Sequence, residues 1–590
     1  MHLVRLYVAG GGKCGAIGIC GDCLKSLITK GFFVLMNSRS LKILVLFVVP
    51  ALLYLLPLPF APLMEPDEGR YSSIPNEMNI SGDYITPRLK GVVYFEKPPL
   101  SYWATALSFK IFGKNGFSSR LFVALTAWGC VLLAYRMGLY FYDVRTGLYA
   151  AAILATSLFH AAIGRINILD MPLGFFICMA IWSGFRFLHG DERKKRRLYL
   201  LYLFSALAFL TKGLVGIVFP FGVIIVWLFF TGRLRDILRV VSPAGMVVFA
   251  AVACPWLVLV QRENPDFFRF FFIQEHFLRY TTEMHHRYEP VYFYIPVLIA
   301  GMLPWIAWLP EAVKGAKDGT IFFRKGEKSI LLTWILLIFL FFSLSSSKLI
   351  PYLTPIFPPL AVIFGIVFSR FEERWENGPA PLSGAHRLTG IITALLFITA
   401  IAVPLFIAKH GVTWGEWLPL IAFPALMMLL LPFLPERMRA YGPGRRFLTI
   451  YIIFALFFTS LTPPMTHFLA PYKSARPLSE AIERLIPREA DVYQYGMSLY
   501  GVDFYTGRRT PIVDDIGELS YGVSHMESKE ERDHYFLYSD AFFRLAKEKN
   551  GLYCATENDE KLDRLKKEFP RLRVLWQSGS YSLVELRRNS

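Results

Sequence analysis

Thirteen apolar runs divide this chain, and few folds can absorb them. They lie near 42–60, 119–138, 147–163, 168–188, 198–211, 213–230, 241–260, 291–310, 329–345, 350–369, 388–408, 415–434 and 447–463, each bounded by charge or by Pro and Gly. A helix crossing a bilayer needs about 20 apolar residues. Several runs are shorter, and those across 147–211 have the least distinct edges. The chain has 590 residues, 54% of them hydrophobic, and a mean hydropathy of +0.42. A soluble fold of this length does not bury that much apolar surface, whereas a bilayer receives it. The expected fold is an α-helical polytopic membrane protein with about thirteen transmembrane helices.

A net charge of +18 raises the possibility of a nucleic-acid partner, but no basic helix or aromatic stacking module accompanies it. The basic residues follow a topology instead. With the N-terminus in the cytoplasm, the loops at 186–197, 231–240, 311–328, 370–387 and 435–446 all lie inside, and each carries between three and six Lys or Arg. The opposite turns at 164–167, 211–213, 344–350 and 409–414 carry one each. This is the positive-inside asymmetry. It puts the long segments 61–118 and 262–290, and everything after 463, on the outer side, which in a bacterium is the periplasmic face of the inner membrane.

Three domains are expected. Residues 1–35 hold Cys14, Cys20 and Cys23 in KCGAIGICGDC. A closed metal site needs a fourth ligand, and none is nearby. This stretch reads as a disordered arm or as sequence upstream of a start at Met36, where a basic n-region leads into an uncleaved apolar anchor. Cys130, Cys178 and Cys254 sit in apolar spans and read as packing residues. Residues 36–465 form the membrane domain. Residues 466–590 change character: Leu478, Ile482 and Leu485 mark an amphipathic helix, strands and a second helix near 538–549 follow, and RVLWQSGSYSLVELR reads as a hairpin turning at SGS. This tail is expected to be a small soluble α/β domain.

Four outer segments carry the chemistry. The first, APLMEPDEGRYSSIPNEMNISGDYITPRLKGVVYFEKPPLSYW (61–103), is too long for a plain connector. It holds Asp67, Arg70, Glu96 and Lys97, and Pro98-Pro99 stiffen the chain after the last pair. Tyr71, Ile74 and Met78 have the spacing of an interfacial helix that Pro75 limits. The second, GRINILDMPLG, puts Asp170 at a helix start, where it can cap the helix or face a polar cavity at the depth of Asp67. The third, QRENPDFFRFFFIQEHFLRYTTEMHHRYEPVYFYIP, carries His276, Arg279, His285, His286 and Arg287. These can meet lipid headgroups, or the imidazoles can bind a divalent metal with Glu96 as a carboxylate ligand. Adjacent helical residues point about 100° apart, so one of His285 and His286 is the readier ligand. The fourth, SLSSSKLIPYLTPIFPPL, places Lys348 and Tyr352 on the outer face. There Lys348 either snorkels or reaches an anionic headgroup. Cations beside a metal suit a phosphate, and at a membrane boundary that phosphate belongs to a lipid.

The motifs PDEGRY…GDYITPRLKGVVYFEKPPLSYW, RINILDMPLG, HHRYEPVYFYIP and SSSKLIPYLTP resemble those of the bacterial aminoarabinose lipid A transferases and the wider protein-mannosyltransferase-type glycosyltransferases, across roughly 40–360. The resemblance implies a GT-C fold, an undecaprenyl-phosphate sugar donor and a divalent metal (Zn, Mg or Mn). It implies Asp67 at the catalytic centre with Asp170 as the second acidic residue, and Glu96 with a later histidine, here His285 or His286, on the metal. Lys97 would face the donor phosphate, joined by Arg70, Arg287, Lys348 and Tyr352. The doubled histidine departs from some members of the family.

The expected activity is inverting transfer of a sugar from undecaprenyl phosphate to an outer-leaflet acceptor, most naturally lipid A, by a monomeric enzyme. A protein O-mannosyltransferase is the alternative. A transporter would want polar residues at the bilayer midplane and repeat symmetry, and the middle spans offer mostly apolar and aromatic residues.

Overall fold

The computed structural model describes residues 39–189, 195–278, 289–317, 329–376, 469–549 and 551–587, with isolated helical positions between 447 and 459. The first helix, α1, is continuous through Arg39–Ile43, a π turn at Leu44–Val48 and Val49–Tyr54. Leu46, Val49 and Leu53 are buried, while Phe47, Leu52 and Leu56 are exposed, a two-sidedness that suits a helix with lipid on one face. There follow α2 (Asp67–Ser81), the short antiparallel strands β1 (Arg88–Leu89) and β2 (Val92–Val93), and α3 (Leu100–Phe112).

The bundle continues with α4 (Gly116–Phe141), α5 (Val144–Thr156), α6 (Asp170–His189), α7 (Lys195–Lys212), α8 (Val215–Phe230) and α9 (Pro243–Glu263). A bent pair comes next, then α10 (Ser329–Leu344) and α11 (Phe357–Glu376). One apolar core threads α1, α4 to α8, α10 and α11. Glycines permit the closest approaches: a Cβ on Gly138 would meet the backbone of Gly147, and one on Gly365 the carbonyl of Thr146.

The expected count of thirteen spans is not reached by length and composition among the described residues. Four helical stretches qualify, Gly116–Phe141, Asp170–His189, Pro243–Glu263 and Ile350–Arg374, and a fifth if the bent pair Val291–Gly301 and Trp305–Gly315, folded by 98°, is one span. Val144–Thr156, Val215–Phe230 and Ser329–Leu344 are apolar but shorter. Local breaks explain much of the difference. The run at 147–163 is interrupted at Ser157, whose backbone is extended, and the run at 291–310 is folded by 98°. The runs at 388–408 and 415–434, residues 1–35 and their three cysteines lie outside the described residues, and 447–463 contributes isolated positions. Cys130 and Cys178 are packed as expected, but Cys254 is exposed on α9.

The C-terminal residues form a layered α/β unit. It contains α12 (Arg476–Leu485), β3 (Val492–Tyr495), α13 (Tyr500–Thr506), β4 (Ile512–Val513), α14 (Ser520–Ser524), β5 (Phe536–Leu537), α15 (Ser539–Glu548), β6 (Leu552–Glu557), α16 (Asp559–Glu568), β7 (Arg573–Ser578) and β8 (Tyr581–Leu586). The sheet order is β5-β4-β3-β6-β8-β7, parallel through β6 and antiparallel at β8 and β7. The hairpin expected at SGS is β7–β8, with Ser578 opposite Tyr581. Gly579 turns it at positive φ, with no room for a Cβ against the Pro471 carbonyl. Leu478 and Ile482 are buried, as an amphipathic α12 requires, while Leu485 is 40% exposed.

This unit covers the first outer segment. Ile74, Met78, Leu89, Val92, Tyr94 and Tyr102 share one apolar cluster with Tyr500, Ile512, Leu519, Val523 and Phe536. Thus α2 is a helix, as its spacing implies, but it is not an amphipathic helix floating in the interface. Its polar side is buried as well: Ser72 Oγ lies 2.5 Å from Ser119 Oγ, and Ser73 Oγ donates to the Tyr500 carbonyl at 2.9 Å. Pro75 does not end it. The carbonyl that Pro75 leaves without its helical N–H donor is that of Tyr71, and Asn167 Nδ2 donates to it at 3.3 Å.

Candidate functional site

The site begins with a buried ion pair. Glu68 is followed by Gly69, whose bare Cα faces the Glu65 carboxyl, and its own carboxylate turns into the bundle. Arg120 of α4 grips it at both oxygens, Nε to Oε1 and Nη2 to Oε2, each at 2.6 Å. The other Arg120 donors satisfy the carbonyls of Leu58, Ala61 and Pro62 at 2.6–3.1 Å. Asn167 N and Met64 N complete the Glu68 shell at 2.7 and 3.0 Å. The end of α1, the start of α2, α4 and the turn before Asp170 therefore meet at one carboxylate. A buried pair survives desolvation only when its remaining lone pairs and protons are used, and here they are. This junction brings the turns bearing Asp67 and Asp170 together.

Asp170 opens α6 and is mostly buried; its Oδ1 accepts from Lys212 Nζ at 2.6 Å. Lys212 is the last residue of α7, and its ammonium also stands 4.8 Å from the centre of the Tyr352 ring. Lys97 Nζ donates to the Glu96 carbonyl at 2.8 Å and lies 3.5 Å from Glu96 Oε2. These five side chains share a cavity of about 170 Å³. Its polar lining is Glu96, Lys97, Asp170, Lys212, Ser345, Ser347 and Tyr352; its apolar lining includes Leu173, Ile177, Val215, Phe219, Phe341 and Phe342. A cavity lined both by charged side chains and by aliphatic and aromatic ones fits a phosphate attached to a hydrocarbon chain.

Of the other expected residues, the described ones, Asp67, Arg70 and Lys348, are not on the cavity wall. Asp67 starts α2 with its side chain about half exposed and takes a hydrogen bond from Arg70 Nη2 at 2.5 Å. Arg70 is buried and is not on the cavity wall; it is held by Asp67, by the Tyr94 hydroxyl at 3.1 Å and by Glu518 of the C-terminal unit. Burial opposes its charge, but Tyr94, Tyr71, Asp67 and Glu96 outweigh that and hold its pKa well above the usual value. Burial likewise raises the Tyr71 hydroxyl; Arg70 opposes this, while Asp67, Glu96 and Asp170 reinforce it.

Lys348 is buried and does not snorkel: its Nζ donates to the carbonyls of Ser345 and Glu289 at 2.6 and 2.9 Å, bracing the cavity edge. His285, His286 and Arg287 lie outside the described residues, as does Arg279, and the side chain of His276 is not described. Among the described residues no group of three His, Cys, Asp or Glu forms a metal site. Glu96, the carboxylate of the expected set, is on the cavity wall. Sequence reasoning missed Lys212, Glu68 with Arg120, and Glu518. Lys212 carried a signal, being the single basic residue of its outer turn; the others gave none.

Similarity to known proteins can now be set beside this geometry. A family profile described as dolichyl-phosphate-mannose-protein mannosyltransferase matches residues 96–259, which span Glu96, Lys97, Asp170 and Lys212. The undecaprenyl phosphate-alpha-4-amino-4-deoxy-L-arabinose arabinosyl transferase of Aeromonas salmonicida is 30% identical over 525 residues, covering 86% of this chain and 93% of that protein. The chain belongs to the aminoarabinose transferase family. A second family member, transferase 1 of Proteus mirabilis, is 32% identical over 384 residues, 63% of this chain and 67% of its own length. The crystal structure of ArnT from Cupriavidus metallidurans bound to undecaprenyl phosphate superposes with a TM-score of 0.78 at 23% identity, covering 93% of this chain and 98% of that one. The fold is thus the polytopic GT-C architecture with a soluble C-terminal domain, and the chain is a multi-pass inner-membrane glycosyltransferase of this family.

Proposed function

We propose that the chain transfers 4-amino-4-deoxy-L-arabinose from undecaprenyl phosphate to lipid A with inversion at the anomeric carbon. The observation that carries this reading is one cavity lined by Lys97 and Lys212, by Asp170 and Glu96, and by apolar residues such as Leu173, Phe219 and Phe341. In the transition state the bond from the anomeric carbon to the donor phosphate oxygen breaks, and negative charge gathers on that phosphate. Lys97 and Lys212 stabilise it, with Tyr352 flanking and Lys348 bracing the rim. The resemblance assigns Arg287 to the same phosphate. Preorganised donors act most strongly where a site excludes water. An acceptor phosphate of lipid A is already ionised and needs no base. The role of Asp67 is then to orient the acceptor or hold the amino group of the sugar, and Asp170 keeps Lys212 in place. A single displacement by the acceptor inverts the centre.

Glu96 with His285 or His286 is the proposed holder of a divalent ion. An anionic oxygen ligand at the cavity wall fits such an ion, which when bound supplies Lewis-acid stabilisation of the phosphate. Thirteen crossings with a cytoplasmic N-terminus and a periplasmic C-terminal domain complete the proposal. They are supported by the loop charges and by the packing of the first outer segment against the C-terminal sheet, which requires both to share one side. The domain limits are 36–465 and 466–590.

The test is transfer in membranes supplied with donor and lipid A. Asp67→Ala and Lys97→Ala should abolish it while leaving membrane levels normal; full activity in both removes the site assignment. The match to the mannosyltransferase profile gives a protein acceptor as the second reading, and transfer to peptide in place of lipid A would favour it.

A further inference from the structure

The C-terminal domain does more than cover the outer loop. We propose that Glu518 of this domain is a positioning residue for the reaction, acting through Arg70 to fix Asp67. The inference rests on the site assignment above. The Arg70 guanidinium is shared between two carboxylates: Nη2 is bound to Asp67 Oδ1 at 2.5 Å, and Nη1 pairs with Glu518 Oε2. The Tyr94 hydroxyl bridges the second pair, accepting from Nη1 at 3.1 Å and standing 3.3 Å from Glu518 Oε2. The Arg70 guanidinium also lies over the Tyr71 ring, 5.1 Å from its centre. Asp67, the outermost member, is half exposed and has little packing of its own.

The segment carrying Glu518 is built to sit there. Gly517 takes a left-handed φ of 45°, turning the chain after β4. Leu519 is fully buried in the cluster shared with Ile74 and Val92. On α14, Gly522 abuts the Val93 carbonyl so closely that a Cβ would collide with it. Backbone contact on one side and a buried leucine on the other leave Glu518 little freedom, and it passes that constraint to Arg70. A reacting group held within a fraction of an ångström by supporting side chains is worth far more than a loose one, and a displacement of about 1 Å can cost as much as ~100-fold. The other contacts at this interface, including Lys90 Nζ to both Asp503 oxygens at 2.8 and 2.9 Å, hold the domain on without touching Arg70.

That separation supplies the control. Wild type, Glu518→Gln and Asp503→Asn are purified as full chains in lipid nanodiscs. They are assayed with undecaprenyl-phosphate aminoarabinose and lipid A, and melted in parallel. Glu518→Gln is expected to lower kcat about 10-fold or more with the donor KM and the melting temperature near wild type. Asp503→Asn is expected to lower the melting temperature and keep kcat. Wild-type kcat in Glu518→Gln, or kcat losses in both variants that track melting, overturns the proposal. Failure of the wild type itself to use this donor would instead strike the substrate reading. A cryo-EM map of Glu518→Gln, which needs no donor, then decides: Arg70 and Asp67 are expected to leave their present rotamers, and an unmoved Asp67 overturns the proposal.

Discussion

Lys212 and Arg120 show how differently two cations serve near the same site. Lys212 ends its helix with an ammonium between Asp170 and the Tyr352 ring, on the cavity wall. Lys212→Met should leave folding intact and lower kcat by about 10²–10³-fold, the loss seen when one preorganised donor is removed from a charged transition state; steady-state transfer assays would read it. Arg120 is buried and never meets the cavity. Arg120→Met strips Glu68 of its partner and leaves a bare buried carboxylate, at a cost of about 3–5 kcal/mol, which thermal melting in detergent would register as a large drop. Sequence alone groups these residues poorly. The charges of DEGRY read as one cluster, yet Asp67 faces outward, Glu68 is locked inward on Arg120, and Arg70 bridges to another domain. The partners that separate them lie 52 and 448 residues further along, beyond the reach of local spacing.

Among the elements, the turn from Leu63 to Pro66 carries a dependence on pH. Glu65 is buried between Gly69 and Gly501; Gly501 N donates to its Oε1 at 2.6 Å, and its Oε2 has no partner among the described residues. Burial raises its carboxyl from 4.5 to about 8, against the opposing pull of the Gly501 and Tyr500 amides and of Arg70 and Lys90. The folded chain therefore keeps a proton that the unfolded chain releases. Stability falls as pH rises from about 4.5 to about 8 and levels beyond. Glu65→Gln, which is neutral throughout, should gain melting temperature relative to wild type at pH 8 and lose that advantage at pH 5; a pH-independent difference would refute this. The existence of α2 was legible from Tyr71, Ile74 and Met78. Its burial was not, because the covering residues Tyr500, Leu519 and Val523 belong to another domain. The β1–β2 hairpin was missed for a local reason: Lys90 and Gly91 both take positive φ, and Lys is an uncommon choice at the first of these positions.

For the whole molecule, hydropathy and loop charge are enough to read a polytopic bundle with a soluble tail, since both follow from the bilayer as solvent. The number of full-length spans is not legible in the same way. Ser157 and the 98° bend after Gly301 divide apolar sequence into shorter helices, and a run of apolar residues does not reveal whether its helix is straight. The tail was recognised as α/β, but its hold on the outer segment was not, because the ion pairs joining them are set by tertiary contact. The central claim is that Lys97, Lys212, Asp170 and Glu96 gather around a sugar-bearing lipid phosphate. Mass spectrometry of lipid A from cells lacking this protein, complemented with wild type or with Lys97→Ala, tests it most directly. The account predicts lipid A enlarged by one aminopentose with wild type and unmodified lipid A with Lys97→Ala. Lipid A that is identical in both strains, or modified equally by the variant, would contradict it.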